Sequence, residues 1–358
     1  MNNVLHVIDY AAPYEGNFIS SLKELNKKML KNNIKIIYLL PLRAKKNKAS
    51  TWYIPMTEQG YQVYFMHKNI LKNIKLIKNI IKQHNITIIH SHFNSFNNNI
   101  SIYFANIFKK ILHIHHFHCQ VTVDSKFKTI IKRVIWKKSI LIGVSESVTE
   151  TLKSVFPKNN CITVENAVFF ERLDEKQYIE KMDLASLKCL MFGYNFEIKG
   201  VDLAVQAISE LRNKYLIDLF IVFTTNADII VQKIKGILGY LPEWIHFLTP
   251  RNDIGSYYNA ADIFISPSRS EGLPYVLIEA AYLKKVVVAS NCTGQYQKNI
   301  PNIFWFKTEN LKDFINTLSK AIESKDNLKN ELEINSEYVK RYYDLNNWSD
   351  KIIDIYNQ

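Results

Sequence analysis

The chain has 358 residues, of which 47% are hydrophobic and 22% are charged, and this composition excludes a disordered or fibrous protein. At roughly 100–200 residues per domain, the length predicts two domains. Lys and Arg outnumber Asp and Glu by 46 to 33, which gives a net charge of +13. Such a charge indicates anionic partners, either phosphorylated substrates, anionic lipid or nucleic acid.

Short apolar runs alternate with longer amphipathic segments in the first half of the chain. We predict strands over residues 4–8, 34–40, 86–90 and 111–115, and helices over 18–31 and 70–83. Alternation of this kind is typical of a parallel sheet that helices cover on both faces.

The same alternation starts again near Cys189. We predict strands over residues 189–193, 219–224, 245–248, 263–266 and 286–289, and helices over 201–212, 275–283 and 311–323. Residues 168–187 are charged and lack periodicity, which indicates a linker, and a last helix pattern covers 338–356. The fold class is therefore α/β, with two doubly wound Rossmann-like domains at 1–167 and 168–340 and a C-terminal helix at 341–358.

Several other functional classes lack their motifs in this sequence. None of the ten glycines lies in G-x-G-x-x-G or G-x-x-x-x-G-K, and no G-x-S-x-G is present. The four cysteines form no C-x-x-C, which suits reduced thiols. We expect no nucleic acid partner, because no helix-turn-helix, zinc finger or RNA motif is found. Without a signal-peptide pattern or a membrane-spanning run, we predict a cytoplasmic enzyme.

Residues 267–279, after the strand at 263–266, read Pro-Ser-Arg-Ser-Glu-Gly-Leu-Pro-Tyr-Val-Leu-Ile-Glu. Gly272 lets the backbone approach a ligand, and Pro274 suits the first position of a helix. The amides of Leu273, Tyr275 and Val276 would then form an anion site for phosphate at the helix N-terminus.

Two carboxylates flank this helix start. Glu271 precedes the helix and would accept hydrogen bonds from a sugar, while Glu279 would hold a ribose. Alternatively, Glu271 caps the helix and Glu279 lies on a solvated face. The apolar residues on both sides of Glu279 disfavour that alternative.

This stretch resembles the E-x7-E motif of the family 4 glycosyltransferases, which have the GT-B fold. Residues 259–262 (Asn-Ala-Ala-Asp), 164–168 (Val-Glu-Asn-Ala-Val) and 143–147 (Gly-Val-Ser-Glu-Ser) resemble further elements of the family. The resemblance thus covers essentially the whole chain. It implies two Rossmann-like domains facing a cleft, with a C-terminal helix that crosses back to the first domain.

The family usually has Gly-Arg-x4-Lys-Gly after the first strand of its second domain. Here residues 193–200 read Gly-Tyr-Asn-Phe-Glu-Ile-Lys-Gly, so the resemblance implies that Lys199 contacts the donor diphosphate. Tyr194 stands in the arginine position and supplies no charge. Either Lys199 and the helix amides suffice, or Arg251 or Arg269 compensates.

The resemblance also implies a histidine at the end of the strand at 111–115, facing the reaction centre. His115 aligns best, followed by His116 and His118. A metal cluster within 113–118 is the competing interpretation, but alternate strand residues point to opposite faces, so we expect no metal. Gly16, after the first strand, looks like the family's loop beneath the donor phosphates.

The resemblance implies a retaining sugar transfer from a nucleotide-sugar, here a UDP- or GDP-sugar. No D-x-D occurs in the chain, so we expect no metal cofactor, with the leaving diphosphate stabilised by Lys199 and helix amides. His115, Glu271 and Lys199 are the predicted catalytic residues. The acceptor would be a glycan or lipid-linked sugar in polysaccharide or glycoconjugate synthesis. The alternative is a catalytically inactive GT-B-like partner of an active transferase, which Tyr194 favours.

Two basic amphipathic stretches, residues 68–82 and 126–138, lie in the predicted first domain. Clustered lysines near an anionic membrane each contribute on the order of 1 kcal/mol. We therefore expect the protein to be peripheral at the inner face of the membrane. The apolar residues of these stretches are expected to pack on the sheet, so attachment would be electrostatic and salt-sensitive. Ordinary solvated helices are the alternative.

Overall fold

The computed structural model describes residues 2–358 except 13, 14, 47–51, 94, 108, 110, 122–125, 185, 224–226, 293, 295 and 297–299. The chain divides into two compact units, one formed by Met1–Ala167 and Leu345–Gln358 and the other by Val168–Asp344. No helix of the described residues is long and apolar enough to cross a membrane.

A seven-stranded parallel sheet forms the centre of the first unit. Its strands are β1 (Asn3–Ile8), β2 (Lys35–Leu40), β3 (Gln62–Phe65), β4 (Ile88–His92), β5 (Leu112–Phe117), β6 (Ile140–Gly143) and β7 (Asn160–Thr163). They lie in the order β3-β2-β1-β4-β5-β6-β7. The helices between them are α1 (Gly16–Lys31), α2 (Leu42–Lys46), α3 (Ile54–Glu58), α4 (Ile70–Gln83), α5 (Phe96–Asn106), α6 (Lys126–Ile135) and α7 (Glu146–Val155).

The second unit repeats this plan with six parallel strands. These are β8 (Leu187–Phe192), β9 (Ile217–Val222), β10 (Ile245–Leu248), β11 (Ile263–Ser266), β12 (Val286–Ser290) and β13 (Phe304–Phe306). Their order is β10-β9-β8-β11-β12-β13. The helices are α8 (Val201–Leu211), α9 (Ala227–Leu238), α10 (Gly255–Ala260), α11 (Tyr275–Tyr282), α12 (Leu311–Ser324) and α13 (Lys329–Tyr342). Two doubly wound domains are thus confirmed.

The predicted linker is part of the second unit. Residues 168–187 contain two short 3-10 helices, Phe170–Leu173 and Glu180–Met182. A Cβ atom at Gly255 would overlap the carbonyl oxygen of Leu173, so the first of these helices lies directly against α10. The segment lacks periodicity because it is held by such local contacts rather than by one amphipathic face.

The last helix, α14 (Leu345–Tyr356), belongs to the first unit. It contributes Trp348, Ile352 and Tyr356 to the same apolar cluster as the β1 and α1 side chains. Lys28 of α1 forms an ion pair with Asp350 at 2.6 Å. The return of a C-terminal helix to the first domain is confirmed, although the predicted helix over 338–356 is interrupted at residues 343–344.

Candidate functional site

The strand order of the second unit reverses between β8 and β11, and ligands of doubly wound sheets bind at the carboxyl ends of the strands at such a point. A recess lies there, and its lining includes Phe192, Lys199, Ser266, Ser268 and Val276. The segments predicted to bind the donor, after β8 and after β11, therefore meet at one edge of the sheet.

Lys199 and Glu271 are in direct contact at this edge. The Lys199 Nζ atom lies 2.6 Å from Glu271 Oε1, and both side chains are largely buried. The residues are 72 positions apart in the chain, so the contact is a product of the fold. It brings together two of the three predicted catalytic residues in one partly desolvated ion pair.

Two glycines let backbone segments approach this ion pair closely. Gly200 has φ +65°, and a Cβ atom there would overlap the carbonyl oxygen of Pro267. Gly294 has φ +86°, and its Cβ atom would overlap the carbonyl oxygens of Glu271 and Gly272. Both positions therefore require glycine, because the left-handed backbone favours it and because a Cβ atom would overlap a carbonyl oxygen. Gly294 is not predicted from the sequence, because it lies in none of the motifs described above.

Replacing Gly200 with alanine is expected to destabilise the second unit by at least about 1–3 kcal/mol, because the turn must distort or push Pro267 away. The same change should abolish UDP binding. Gly236→Ala is the matched control, because Gly236 lies in α9 with nothing near its Cβ position. The control should be neutral or stabilise by up to about 1 kcal/mol. Equal urea midpoints for the two variants would contradict the assigned role of Gly200.

Glu279 is buried on α11 and both of its oxygens have partners. Arg172 forms an ion pair with Oε1, and the Tyr258 hydroxyl donates a hydrogen bond of 2.9 Å to Oε2. Burial, together with the adjacent Glu279 charge, holds the pKa of Tyr258 well above its usual value. A carboxylate has about four acceptor positions, so Glu279 retains capacity for a ribose hydroxyl. Arg172 was missed because it lies in the supposed linker.

The two arginines suggested as substitutes for the cation absent at position 194 are engaged by carboxylates. Arg269 contacts Asp202 through two hydrogen bonds of 2.7 and 2.9 Å, and also Glu309. Arg251 contacts Asp253 at 2.6 and 2.8 Å, which raises the pKa of the guanidinium. Each arginine is therefore held by carboxylates, as Lys199 is held by Glu271. Compensation by Arg251 or Arg269 for the missing charge at position 194 stays a prediction.

The remaining donor-site predictions lie at two helix starts. Gly272, Leu273 and Pro274 are buried immediately before α11. Tyr275 is the first helical residue, as predicted, and Pro274 is the N-cap residue, one position before the one expected for it. Gly16, with φ +62°, opens α1 after β1. The roles of these residues stay predictions.

Strand β5 continues two residues beyond the predicted end, to Phe117. The placement of His115 at the strand end is therefore wrong, and His118 is the histidine that follows the strand. The His115 ring is buried and packs on Trp136. Its Nδ1 atom forms a hydrogen bond of 2.8 Å with Ser91 Oγ. A catalytic role for His115 stays a prediction.

Five further imidazole rings lie together in the first unit, and we call them the histidine cluster: His6, His90, His92, His116 and His118. The first four are at most 1% exposed. Burial lowers the pKa of each of the five rings below the ordinary value. The cluster is consequently neutral at physiological pH.

Comparison with known proteins gives a family match for the second unit. Residues 187–324 match the model of the family described as "Glycosyl transferases group 1". The chain is 26% identical over 188 residues to an uncharacterized glycosyltransferase of Haemophilus influenzae. It is 31% identical over 116 residues to the N,N'-diacetylbacillosaminyl-diphospho-undecaprenol alpha-1,3-N-acetylgalactosaminyltransferase of Campylobacter jejuni. These matches cover 51% and 32% of this chain. The chain spans 52% and 31% of the lengths of these relatives.

Solved structures match over the full length. A glycosyltransferase from Rickettsia africae superposes with a TM-score of 0.82 at 20% identity, covering 99% of this chain and 97% of the other. Anabaena HepE in complex with UDP and glucose superposes with a TM-score of 0.79 at 14% identity, covering 100% of both chains. Similarity at these identities shows a shared fold.

Proposed function

We propose that this chain, whose residues 187–324 match the glycosyl transferases group 1 family, is a glycosyltransferase. It moves a sugar from a nucleotide-sugar donor to a glycan or lipid-linked acceptor. The observation that carries the proposal is the Lys199–Glu271 ion pair at the switch point of the second sheet. A cation and a carboxylate in contact can bind a diphosphate and a sugar side by side.

The same site suits a retaining reaction without a metal. Negative charge grows on the diphosphate as the anomeric C–O bond breaks, and Lys199 with the α11 N-terminus would stabilise it. The role of Glu271 is to hold the sugar through its hydroxyls. Glu279, fixed by Arg172 and Tyr258, would bind the ribose.

The names of the relatives support a UDP-sugar and a polyprenyl diphosphate acceptor. The Campylobacter relative is named for a diphospho-undecaprenol substrate. An Escherichia coli relative is named UDP-Gal:alpha-D-GlcNAc-diphosphoundecaprenol alpha-1,3-galactosyltransferase. The two chains are 31% identical over 114 residues, which is 30% of this chain and 28% of the relative. A role in surface polysaccharide or glycoconjugate synthesis follows from such an acceptor.

A direct assay tests the function. The purified full chain is incubated with labelled UDP- and GDP-sugars and with an undecaprenyl-diphosphate-linked sugar, and the label in the lipid phase is counted. We expect lipid-linked product with one donor, and about 10–100-fold less with Glu271→Gln, because that change removes a charged sugar-binding group. Absence of product and of donor binding with every UDP- and GDP-sugar would contradict the proposal.

A catalytically inactive partner subunit is the second candidate, since Tyr194 supplies no charge where the family has arginine. The two candidates differ in donor hydrolysis. An inactive partner would leave UDP-sugars intact even at high enzyme concentration, whereas a transferase releases UDP slowly without acceptor.

Transfer is expected to continue in excess EDTA, because the charge on the leaving diphosphate is met by protein groups and no D-x-D occurs in the chain. We would measure initial rates without EDTA, with EDTA, and after addition of Mg²⁺ or Mn²⁺. The rates should agree within about twofold, because Lys199 and the helix amides stabilise the diphosphate charge without a metal ion. Complete loss of activity in EDTA that Mg²⁺ or Mn²⁺ restores would contradict this mechanism.

Attachment to a membrane surface is supported mainly by the exposed residues of α6 rather than by those of α4. On α4 the apolar residues Ile77, Ile80 and Ile81 are buried, as expected, and Leu71 in its first turn is the exception at 75% exposed. On α6, however, Phe127, Ile130 and Val134 are 72%, 58% and 54% exposed. Their spacing of three and four residues forms one apolar stripe among basic residues. The expectation that all these side chains pack on the sheet is wrong for α6.

Binding to anionic vesicles is therefore expected to weaken in high salt without disappearing, because the stripe adds an apolar contribution to the lysines. Sedimentation with phosphatidylglycerol and with phosphatidylcholine vesicles measures it. Phe127→Ser with Ile130→Ser should reduce binding several-fold, whereas Ile229→Ser, a similarly exposed residue of α9, should not. Failure to bind either vesicle at low salt would leave α6 an ordinary surface helix.

A further inference from the structure

The histidine cluster is assembled by the strand register of the first sheet. His6 of β1 pairs with His90 of β4, and His92 of β4 pairs with His116 of β5. His90 and His92, like His116 and His118, are two residues apart and so point to the same face. The rings form a continuous stack, with neighbouring centroids 4.1–5.4 Å apart.

We propose that His92, His116 and His118 bind a divalent transition-metal ion of the zinc type. One ring nitrogen from each lies within 4.8 Å of the others, and His92 Nδ1 is 3.0 Å from His118 Nε2. Two imidazole nitrogens on a tetrahedral ion at about 2.0–2.1 Å lie roughly 3.3 Å apart. The His92 and His118 nitrogens are thus already close to the spacing that two ligands of one ion require.

The other members of the cluster form the hydrogen-bonded support that metal-ligating histidines require. His92 Nε2 lies 3.1 Å from His6 Nδ1, and His6 Nε2 lies 3.3 Å from the Tyr356 hydroxyl. That hydroxyl lies 2.7 Å from His90 Nδ1. These contacts can run in either direction with every ring neutral, and metal binding selects one of the two. In that direction His92 donates to His6, His6 donates to Tyr356 and Tyr356 donates to His90, which leaves the Nδ1 lone pair of His92 for the ion.

Unpartnered nitrogens point to the same triad. Both ring nitrogens of His116 and Nδ1 of His118 are buried without a hydrogen bond of ordinary distance and angle. His116 has only a weaker polar contact, with the backbone of Val164. Buried polar atoms are nearly always satisfied in proteins, and a bound ion would use one nitrogen of His116. His118 is the least buried of the three and follows the strand end, so it gives the ion a route from solvent.

The ligand chemistry selects the ion. Neutral imidazole suits Zn²⁺, Co²⁺, Ni²⁺ and Cu²⁺, whereas Mg²⁺ and Ca²⁺ require oxygen ligands. Among the described residues, the two groups that could hold an ion contain only histidines. The site belongs to the first unit and the donor residues Lys199 and Glu271 to the second. Its failure would therefore leave the proposed transfer untouched.

Cobalt titration of the full chain, purified without a histidine tag, tests the proposal. We expect one equivalent of Co²⁺ to give the intense visible absorption of a four- or five-coordinate ion, which Zn²⁺ then displaces. His118→Asn and His116→Ala should each weaken Co²⁺ binding by at least about 100-fold, and Tyr356→Phe by about 10-fold, as loss of an outer hydrogen bond does. Circular dichroism checks that each variant is folded.

Two controls separate this site from adventitious binding. His113→Ala removes a buried histidine on the opposite face of β5, and Cys119→Ser removes the exposed thiol beside His118. Both should leave Co²⁺ affinity unchanged. A spectrum that shows only weak six-coordinate absorption, or binding that survives His116→Ala and folded His118→Asn alike, would overturn the proposal.

Discussion

Lys199→Ala is expected to weaken UDP binding by about 10–100-fold. A charge-assisted hydrogen bond contributes about 1.5–3 kcal/mol, and each 1.4 kcal/mol changes an affinity tenfold. The variant also leaves the Glu271 carboxylate without the cation that lies 2.6 Å away, so a diphosphate would meet an uncompensated negative charge. Calorimetric titration with UDP and with GDP measures the effect.

The ion pair supplies its own internal test. In the Lys199→Ala background, Glu271→Gln should recover part of the lost UDP affinity, because it removes the repulsion. Such non-additivity is what a double-mutant cycle measures. Lys233→Ala is the matched control, since Lys233 forms an exposed ion pair with Glu197 in the same unit. If Lys199→Ala and Lys233→Ala change UDP affinity equally, Lys199 does not bind the donor.

Arg172→Ala is expected to lower the free energy of unfolding of the second unit by about 3–5 kcal/mol, because it leaves a buried carboxylate unpaired. The side chains of Arg172 and Glu279 are 14% and 5% exposed. The Tyr258 hydroxyl would remain as a hydrogen-bond donor to Glu279. Urea unfolding followed by tryptophan fluorescence gives the change.

Two further variants separate the charge from the packing of Arg172. Arg172→Ala combined with Glu279→Gln should be more stable than Arg172→Ala alone, since the unpaired charge is gone. Lys284→Ala breaks an exposed ion pair with Glu333, whose side chains are 49% and 51% exposed, and should cost less than about 1 kcal/mol. A loss below about 1 kcal/mol for Arg172→Ala would show that Glu279 is well solvated without it.

Most of the fold follows from periodicity. The buried runs that became β1, β2, β8, β9 and β11 are predominantly apolar, as expected for strands covered on both faces. Strands β3, β6, β7 and β13 have three or four residues and were not predicted, whereas β10 and β11, with four residues each, were. Runs of that length carry little pattern, so only some of them can be separated from loops. The topology then follows from the alternation of strands and helices.

The proposed donor site could be predicted from the sequence where a motif spans it, but not where residues distant in the chain form it. Lys199 and Glu271 each belong to a segment with its own signature. Arg172 and Gly294 do not, because their roles depend on side chains and carbonyls more than 20 residues away in the chain. The end of β5 was misplaced because every second residue from His113 onward is a histidine or an aromatic, so the pattern gives no end signal.

The discontinuous first unit sets an order on the folding of the nascent chain. Residues 168–344 are contiguous, so the second unit can complete its core while the C-terminal residues are still being added. The first unit lacks Trp348, Ile352 and Tyr356 until α14 leaves the ribosome. At about 5–20 residues per second, translation from Ala167 to Tyr356 takes on the order of 10–40 s. During that interval the apolar surface that α14 later covers is exposed, and chaperones can bind it. His6 and His90 also lack the hydrogen bonds that the Tyr356 hydroxyl later forms with them.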